Sequence, residues 1–145
     1  MELDNERKDV WRAFLTAHAR LLERIDGRLA AADVLPLDWY DVLLALEEAE
    51  GNRLRMGELA QNTLLSRSGL TRLVDRIEAA GYLRRENCPS DRRGFFAVLT
   101  EAGLEARRRT WPVYSEAIRD LFARHLSDAE ARTLHGIFAR MLAEG

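Results

Sequence analysis

The sequence holds one cysteine, Cys88, so no disulfide can close within the chain. Three prolines and nine glycines in 145 residues leave no stretch that reads as a linker or a low-complexity tract. No apolar run approaches the roughly 20 residues that span a bilayer, so no membrane segment is expected. Residues Met1 to Lys8 lack the basic and apolar regions of a secretory signal, and a cytoplasmic protein is the expectation. Lys8 is the one lysine among 22 basic residues, which reads as genomic base composition. His18, His125 and His135 lie far apart with no cysteine companion, so no metal site is expected. No glycine-rich phosphate loop follows a strand, and no nucleophile elbow occurs. Neither an enzyme nor a cofactor is expected.

What is present is 47% hydrophobic and 32% charged, the profile of a helix-rich globular chain. At this length a single domain over 1–145 is expected, with enough chain to bury a core. The net charge of -2 hides an uneven distribution. Between Arg53 and Gly94 there are 9 arginines and 5 acids, a surplus of +4, which leaves -6 for the rest. A basic module therefore sits between acidic flanks, and nucleic-acid contact follows the local field.

Apolar periodicity places a first helix over residues 6–31, with a stripe through Trp11, Leu15, His18, Leu22, Ile25 and Leu29. Phe14, Ala17 and Leu21 widen that stripe beyond what one neighbouring helix covers. Asp38 is expected to cap a second helix, which Gly51 and Asn52 end. Arg53–Arg55 reads as a short extended piece, Met56–Asn62 as a third helix and Thr63–Leu65 as a turn. Ser66 is a suitable cap for a fourth helix, whose buried stripe is Leu70, Leu73, Val74 and Ile77. Gly81 should end it in a left-handed conformation. Tyr82–Glu86 and Phe95–Leu99 read as a two-stranded hairpin. Thr100 should cap a long fifth helix reaching about Arg124 and kinked at Pro112. Ser127 with Glu130 forms a capping box for a last helix with the stripe Leu134, Ile137, Phe138, Met141 and Leu142. The first and last helices carry more apolar surface than the central module can cover, which points to a homodimer.

The fold class is mainly α, a winged helix-turn-helix with a small hairpin wing between terminal dimerisation helices. Opposite its core stripe, the fourth helix carries Arg67, Ser68, Thr71, Arg72 and Asp75, with Arg76 at the edge. The DNA major groove admits one helix and displays a distinctive donor and acceptor pattern. Arginine can bond a guanine edge bidentately, and serine or threonine can reach bases or phosphates. Arg92 and Arg93, at the tip of the Cys88–Gly94 loop, suit a narrow and electronegative minor groove.

At this point the sequence resembles the MarR family of bacterial transcription regulators. The resemblance runs through Gly57–Ala60, Leu65–Glu78, Gly81–Arg85, Asp91–Gly94 and Val98–Thr100, then Gly103, with Leu35–Leu43 as a further likeness. It implies a homodimer with interlocked N- and C-terminal helices, residues 6–31 and 105–145, around a winged lobe at 38–100. It implies a pseudo-palindromic double-stranded operator, with Arg72 and its neighbours on the operator and Arg93 in the minor groove. Asp91 would hold a nearby arginine, with Arg76 the candidate, and so position the wing. Family members often repress a neighbouring operon until a small ligand or an oxidant loosens DNA binding.

For an effector, the resemblance points to an aromatic or phenolic acid in a crevice lined by Trp11, His18, Trp39 and Tyr40. Read from the residues alone, the same aromatics are core. Cys88 reads as incidental, because the oxidation-sensing branch carries its cysteine in the first helix, where this chain has none. The rival to a regulator is a winged-helix protein-interaction module without sequence-specific DNA binding. The arginines at 67, 72, 92 and 93 argue against it.

Overall fold

In a computed structural model the described residues are 1–63, 67–90 and 94–144, with the side chains of 67 and 68 left aside. Their elements run α1 (Asn5–Ala31), α2 (Leu37–Glu48), β1 (Arg53–Arg55), α3 (Met56–Gln61), α4 (Arg67–Ala79), β2 (Leu83–Asn87), β3 (Phe95–Leu99), α5 (Glu101–Leu121) and α6 (Asp128–Ala143). No described helix is long and apolar enough to cross a membrane. The chain forms two compact units. One is Asp26–Val113, and the other joins Met1–Ile25 to Tyr114–Gly145.

The Asp26–Val113 unit carries the main core. Leu70, Leu73, Val74 and Ile77 of α4 are all buried, as the three- and four-residue spacing requires. They pack with Val42, Leu43 and Leu46 of α2, Leu59 of α3, and Leu83, Ala97 and Leu99 of the sheet. Each buried leucine contributes about 1.5–3 kcal/mol of transfer free energy.

The sheet has three antiparallel strands in the order β1-β3-β2. Leu83 pairs with Leu99 and Arg85 with Ala97, while Arg53 pairs with Val98 and Arg55 with Phe96. The expected two-stranded hairpin is therefore extended by Arg53–Arg55, which bonds to β3 on the far side from β2.

Two chain reversals fix the hairpin on α4. Gly81 adopts φ +85°, where a side chain would be strained. Its N–H donates to Glu78 O at 2.9 Å and the Tyr82 N–H to Ile77 O at 3.2 Å, which satisfies the last carbonyls of α4. Thr100 then ties three segments together. Its hydroxyl donates to Gly81 O at 2.7 Å and accepts from the Gly103 N–H at 3.1 Å. The Thr100 N–H donates to Tyr82 O at 3.3 Å. The first turn of α5 lies so close to this reversal that a Cβ on Gly103 would overlap the Tyr82 carbonyl.

The start of α2 differs from expectation. Asp38 lies inside the first turn and accepts from the Trp39 N–H at 2.9 Å, while Pro36 occupies the cap position. The Leu37 N–H donates instead to Asp26 Oδ1 of α1 at 2.8 Å. A carboxylate eleven residues upstream thus does the work expected of Asp38. The Ser66 cap and the 64–65 part of the turn lie outside the described residues. α5 ends at Leu121, short of Arg124, and its helix runs through Pro112.

In the second unit, α6 opens with the expected capping box. The Glu130 N–H donates to Ser127 Oγ at 3.1 Å, and the Ser127 N–H donates to Glu130 Oε1 at 3.0 Å. Hydrogen bonds to the carboxylate from the Ser127 backbone N–H and then its side chain hold the Glu130 carboxyl below the usual carboxylate range. Phe14 is central to this unit, with ring centroids 6.0 Å from Trp11, 6.2 Å from His18 and 5.8 Å from Phe138. Yet α6 buries none of its residues, and Trp11 and Leu142 are 58% and 81% exposed. A wide apolar surface on α1 and α6 is left uncovered in a single chain.

Candidate nucleic-acid interface

α4 has a sharply divided surface. Its core stripe fixes the helix by one side, and Thr71, Arg72, Asp75, Arg76 and Ala79 are exposed on the other. Arg72 and Arg76 are both exposed, and neither pairs with a carboxylate of the described residues. Arg67 and Ser68 belong to the first turn of α4, and their side chains lie outside the described residues.

Asp91, Arg92 and Arg93 also lie outside the described residues, as does any Asp91–Arg76 contact. The base of their loop is described. The Cys88 N–H donates to Gly94 O at 3.3 Å, which continues the ladder one step past the strands. Arg55 donates from Nη2 to Ser90 Oγ at 3.0 Å, which ties the loop to the strand before α3. Cys88 is buried, 3.3 Å from Ser90 Oγ. A reactive thiol needs exposure and a lowered pKa, and burial at this position favours the incidental reading.

The sheet adds charge that the sequence reading did not assign to a role. Arg53 and Arg55 lie over the Phe96 ring, 4.5 and 5.6 Å from its centroid. Glu86 faces both Arg53 at 3.3 Å and Arg84 at 3.6 Å. Arg85 turns to α4 instead, where it binds Glu78 and Asp75. The signal for that pairing was present in sequence. Two acids three residues apart end an otherwise basic helix, and an arginine follows just after the glycine stop.

The aromatics expected around a ligand are divided between the two units. Trp11 and His18 belong to the Met1–Ile25 and Tyr114–Gly145 unit, Trp39 and Tyr40 to the other. Tyr40 is buried, stacked on Trp111 at 6.4 Å, and the Arg107 guanidinium lies 6.0 Å from its ring. Arg107 also pairs with Glu47 at 2.7 Å, largely out of solvent, which ties α5 to α2. Trp39 meets Tyr82 edge-on at 6.2 Å. These two rings help line a cavity of about 290 Å³ together with Val34, Leu35, Arg109 and Thr110. Of the four expected residues, Trp39 lines this cavity. A second recess, about 370 Å³, is bordered by Asp41, Glu48, Asn62 and Thr63. Burial, and secondarily the Asp38 charge, pushes the Asp41 carboxyl above its ordinary range.

Comparison with known proteins gives consistent neighbours. A sequence model of the MarR family matches residues 33–94. The chain is similar to Sco3205 of Streptomyces coelicolor, a MarR family transcriptional regulator crystallised in complex with DNA. Identity is 39%, coverage 100% of this chain and 90% of that one, and the TM-score 0.88. It is 38% identical over 92 residues to the HTH-type transcriptional regulator YcgE of Bacillus subtilis, a match over 63% of this chain and 60% of that protein's length. It is 29% identical over 125 residues to the transcriptional repressor MprA of Escherichia coli, covering 86% of this chain and 70% of MprA.

Proposed function

The chain belongs to the MarR family of DNA-binding transcription regulators and is not an enzyme, and from that premise we propose that it is a homodimeric repressor of a nearby operon, released from DNA by a small ligand. The observation that carries the DNA-binding reading is the divided surface of α4. One face is locked into the core, and the other offers Thr71, Arg72 and Arg76 to a groove. Arg67 and Ser68 belong to the same reading surface, and Arg92 and Arg93 enter the adjacent minor groove, with Asp91 positioning the wing. Residues 38–100 supply the winged lobe.

Dimerisation accounts for the apolar face left open on α1 and α6, with residues 6–31 and 105–145 as the pairing helices. A two-fold dimer presents two α4 helices to successive major grooves, roughly 34 Å apart, on a pseudo-palindromic operator. Similarity to MprA, a transcriptional repressor, supports repression over activation. The protein acts on chromosomal DNA in the cytoplasm.

The cavity beside Trp39 and Tyr82 supports an aromatic or phenolic acid as effector. Its walls offer flat apolar contacts from Trp39 and Tyr82 and a positive charge from Arg109, with Asp33 on the same lining. Trp11, His18 and Tyr40 remain candidates for the same ligand. A ligand shifts DNA affinity only as far as it prefers one dimer conformation over the other.

The test is a gel shift with the promoter DNA flanking the chain's own gene, at two salt concentrations. Competitor-resistant binding supports a site-specific regulator. Weak binding erased by salt, with no site recovered in a genome-wide selection, refutes it in favour of a protein-interaction module.

A further inference from the structure

α4 carries two acids, Asp75 and Glu78, among three arginines. Asp75 is on the same exposed face as Arg72 and Arg76. Left unpaired at a groove, its carboxylate would repel phosphate and compete for those arginines. Neither acid is unpaired. Arg85 donates from Nη1 to Glu78 Oε1 at 3.0 Å and from Nη2 to Asp75 Oδ1. Its backbone N–H donates to Glu78 Oε2 at 3.1 Å. The Phe95 ring lies 4.7 Å from its guanidinium carbon and braces the side chain from β3. One residue of the hairpin thus occupies both acids of the helix, using both terminal nitrogens of its guanidinium fork.

Resting on the DNA-binding reading above, we infer that Arg85 is a positioning residue for DNA recognition. It acts through Asp75 and Glu78, drawing their carboxylates toward β2 and away from the groove, and makes no phosphate contact of its own. The arrangement leaves the exposed arginines of α4 as the charge that the DNA meets. It also explains how a helix with two acids in its second half can serve a polyanion. Lysine cannot substitute fully at position 85, because one ammonium does not span two carboxylates as the planar fork does.

The experiment measures duplex affinity by fluorescence anisotropy across a salt series. The proteins are the wild type, Arg85→Gln, and Arg85→Gln combined with Asp75→Asn and Glu78→Gln. Arg85→Gln should bind about tenfold more weakly, as expected for exposing an unmatched charge at an interface. Its log-log salt slope should equal that of the wild type, because no phosphate contact is lost. The triple variant should recover most of the affinity. Wild-type affinity in Arg85→Gln overturns the inference. So does a slope shallower by about 0.9, which makes Arg85 a direct phosphate ligand. So does a folded triple variant that stays weak, which makes the role one of packing. Should Arg85→Gln fail to fold by circular dichroism, Asp75→Asn with Glu78→Gln in the presence of Arg85 is the deciding protein. It should bind at least as tightly as wild type, and a tenfold loss overturns the inference. The wild-type isotherm on its own promoter reports separately on the DNA-binding reading. The ratio of variant to wild type, measured on any duplex, reports on Arg85.

Discussion

Replacing Gly103 by alanine adds one methyl group at a crowded backbone junction of the Asp26–Val113 unit. The new Cβ would overlap the Tyr82 carbonyl, and its next contact is the Leu99 side chain at 3.0 Å. A flexible side chain could yield, but a carbonyl in the reversal after α4 cannot yield alone. Either α5 lifts or the 81–82 turn moves. Both put at risk the Thr100 bonds to Gly81 O, Tyr82 O and the Gly103 N–H. Overpacking of this kind costs about 1–3 kcal/mol, and each strained or lost hydrogen bond adds about 1 kcal/mol. A total of about 3–5 kcal/mol is expected. At roughly 2–4 °C per kcal/mol for a chain of this size, the midpoint of thermal unfolding should fall by about 6–20 °C. Differential scanning calorimetry at fixed protein concentration is the assay, since any association shifts the midpoint. Gly27→Ala is the internal control. Nothing lies within 4 Å of a Cβ there, and alanine in a helix interior should gain about 0.5–1 kcal/mol. A Gly103→Ala midpoint within two degrees of wild type would refute the close approach of α5 to the turn.

Three further outcomes are expected. Arg72→Ala should weaken operator binding by about 1–3 kcal/mol per contact while leaving the dimer intact by sedimentation; unchanged affinity would move the reading face elsewhere. Phe138→Glu places a charge against Phe14 and should disrupt dimerisation or folding; a folded dimer carrying it would remove α6 from the interface. Asp41→Asn should stabilise the protein at neutral pH, because the folded state raises that carboxyl's pKa and so loses stability as pH rises through the raised value. The advantage should vanish as pH falls below the ordinary value of 3.8, where Asp41 is protonated folded or unfolded. Paired melting curves of wild type and variant at acid and neutral pH would expose a constant offset, which contradicts this account.

Much of the fold could be read from the chain because its signals are local. The α4 stripe, the Gly81 stop, the Thr100 start and the Ser127–Glu130 box each lie within one or two helical turns, and each stands where expected. The features that escaped depend on distant partners. Arg53–Arg55 is legible as a short extended piece, but its place in the sheet is not, because its partner Phe96–Val98 lies more than forty residues on. The Leu37 N–H finds its acceptor on α1 instead of in the adjacent Asp38. Arg85 is close to Asp75 and Glu78 in sequence, but only the tight Gly81 reversal folds β2 back along α4 to bring them together. For the candidate site, periodicity identified which side of α4 is exposed, while the division of labour among the arginines required the sheet. Arg53 and Arg84 share Glu86, Arg55 holds Ser90, and Arg85 holds the helix acids.

The burial of Cys88 at the base of the hairpin has a practical corollary. The chain's one sulfhydryl is buried and borders a recess of about 590 Å³ that Arg55, Thr71 and Phe95 also line, so a thiol-specific reagent reaches it as the base of the hairpin yields locally. Under native conditions the labelling rate becomes a clock for this local opening, set by its own free energy instead of global unfolding. Saturating operator DNA should slow the clock if binding fastens the wing, and the protein needs no engineered label to report it.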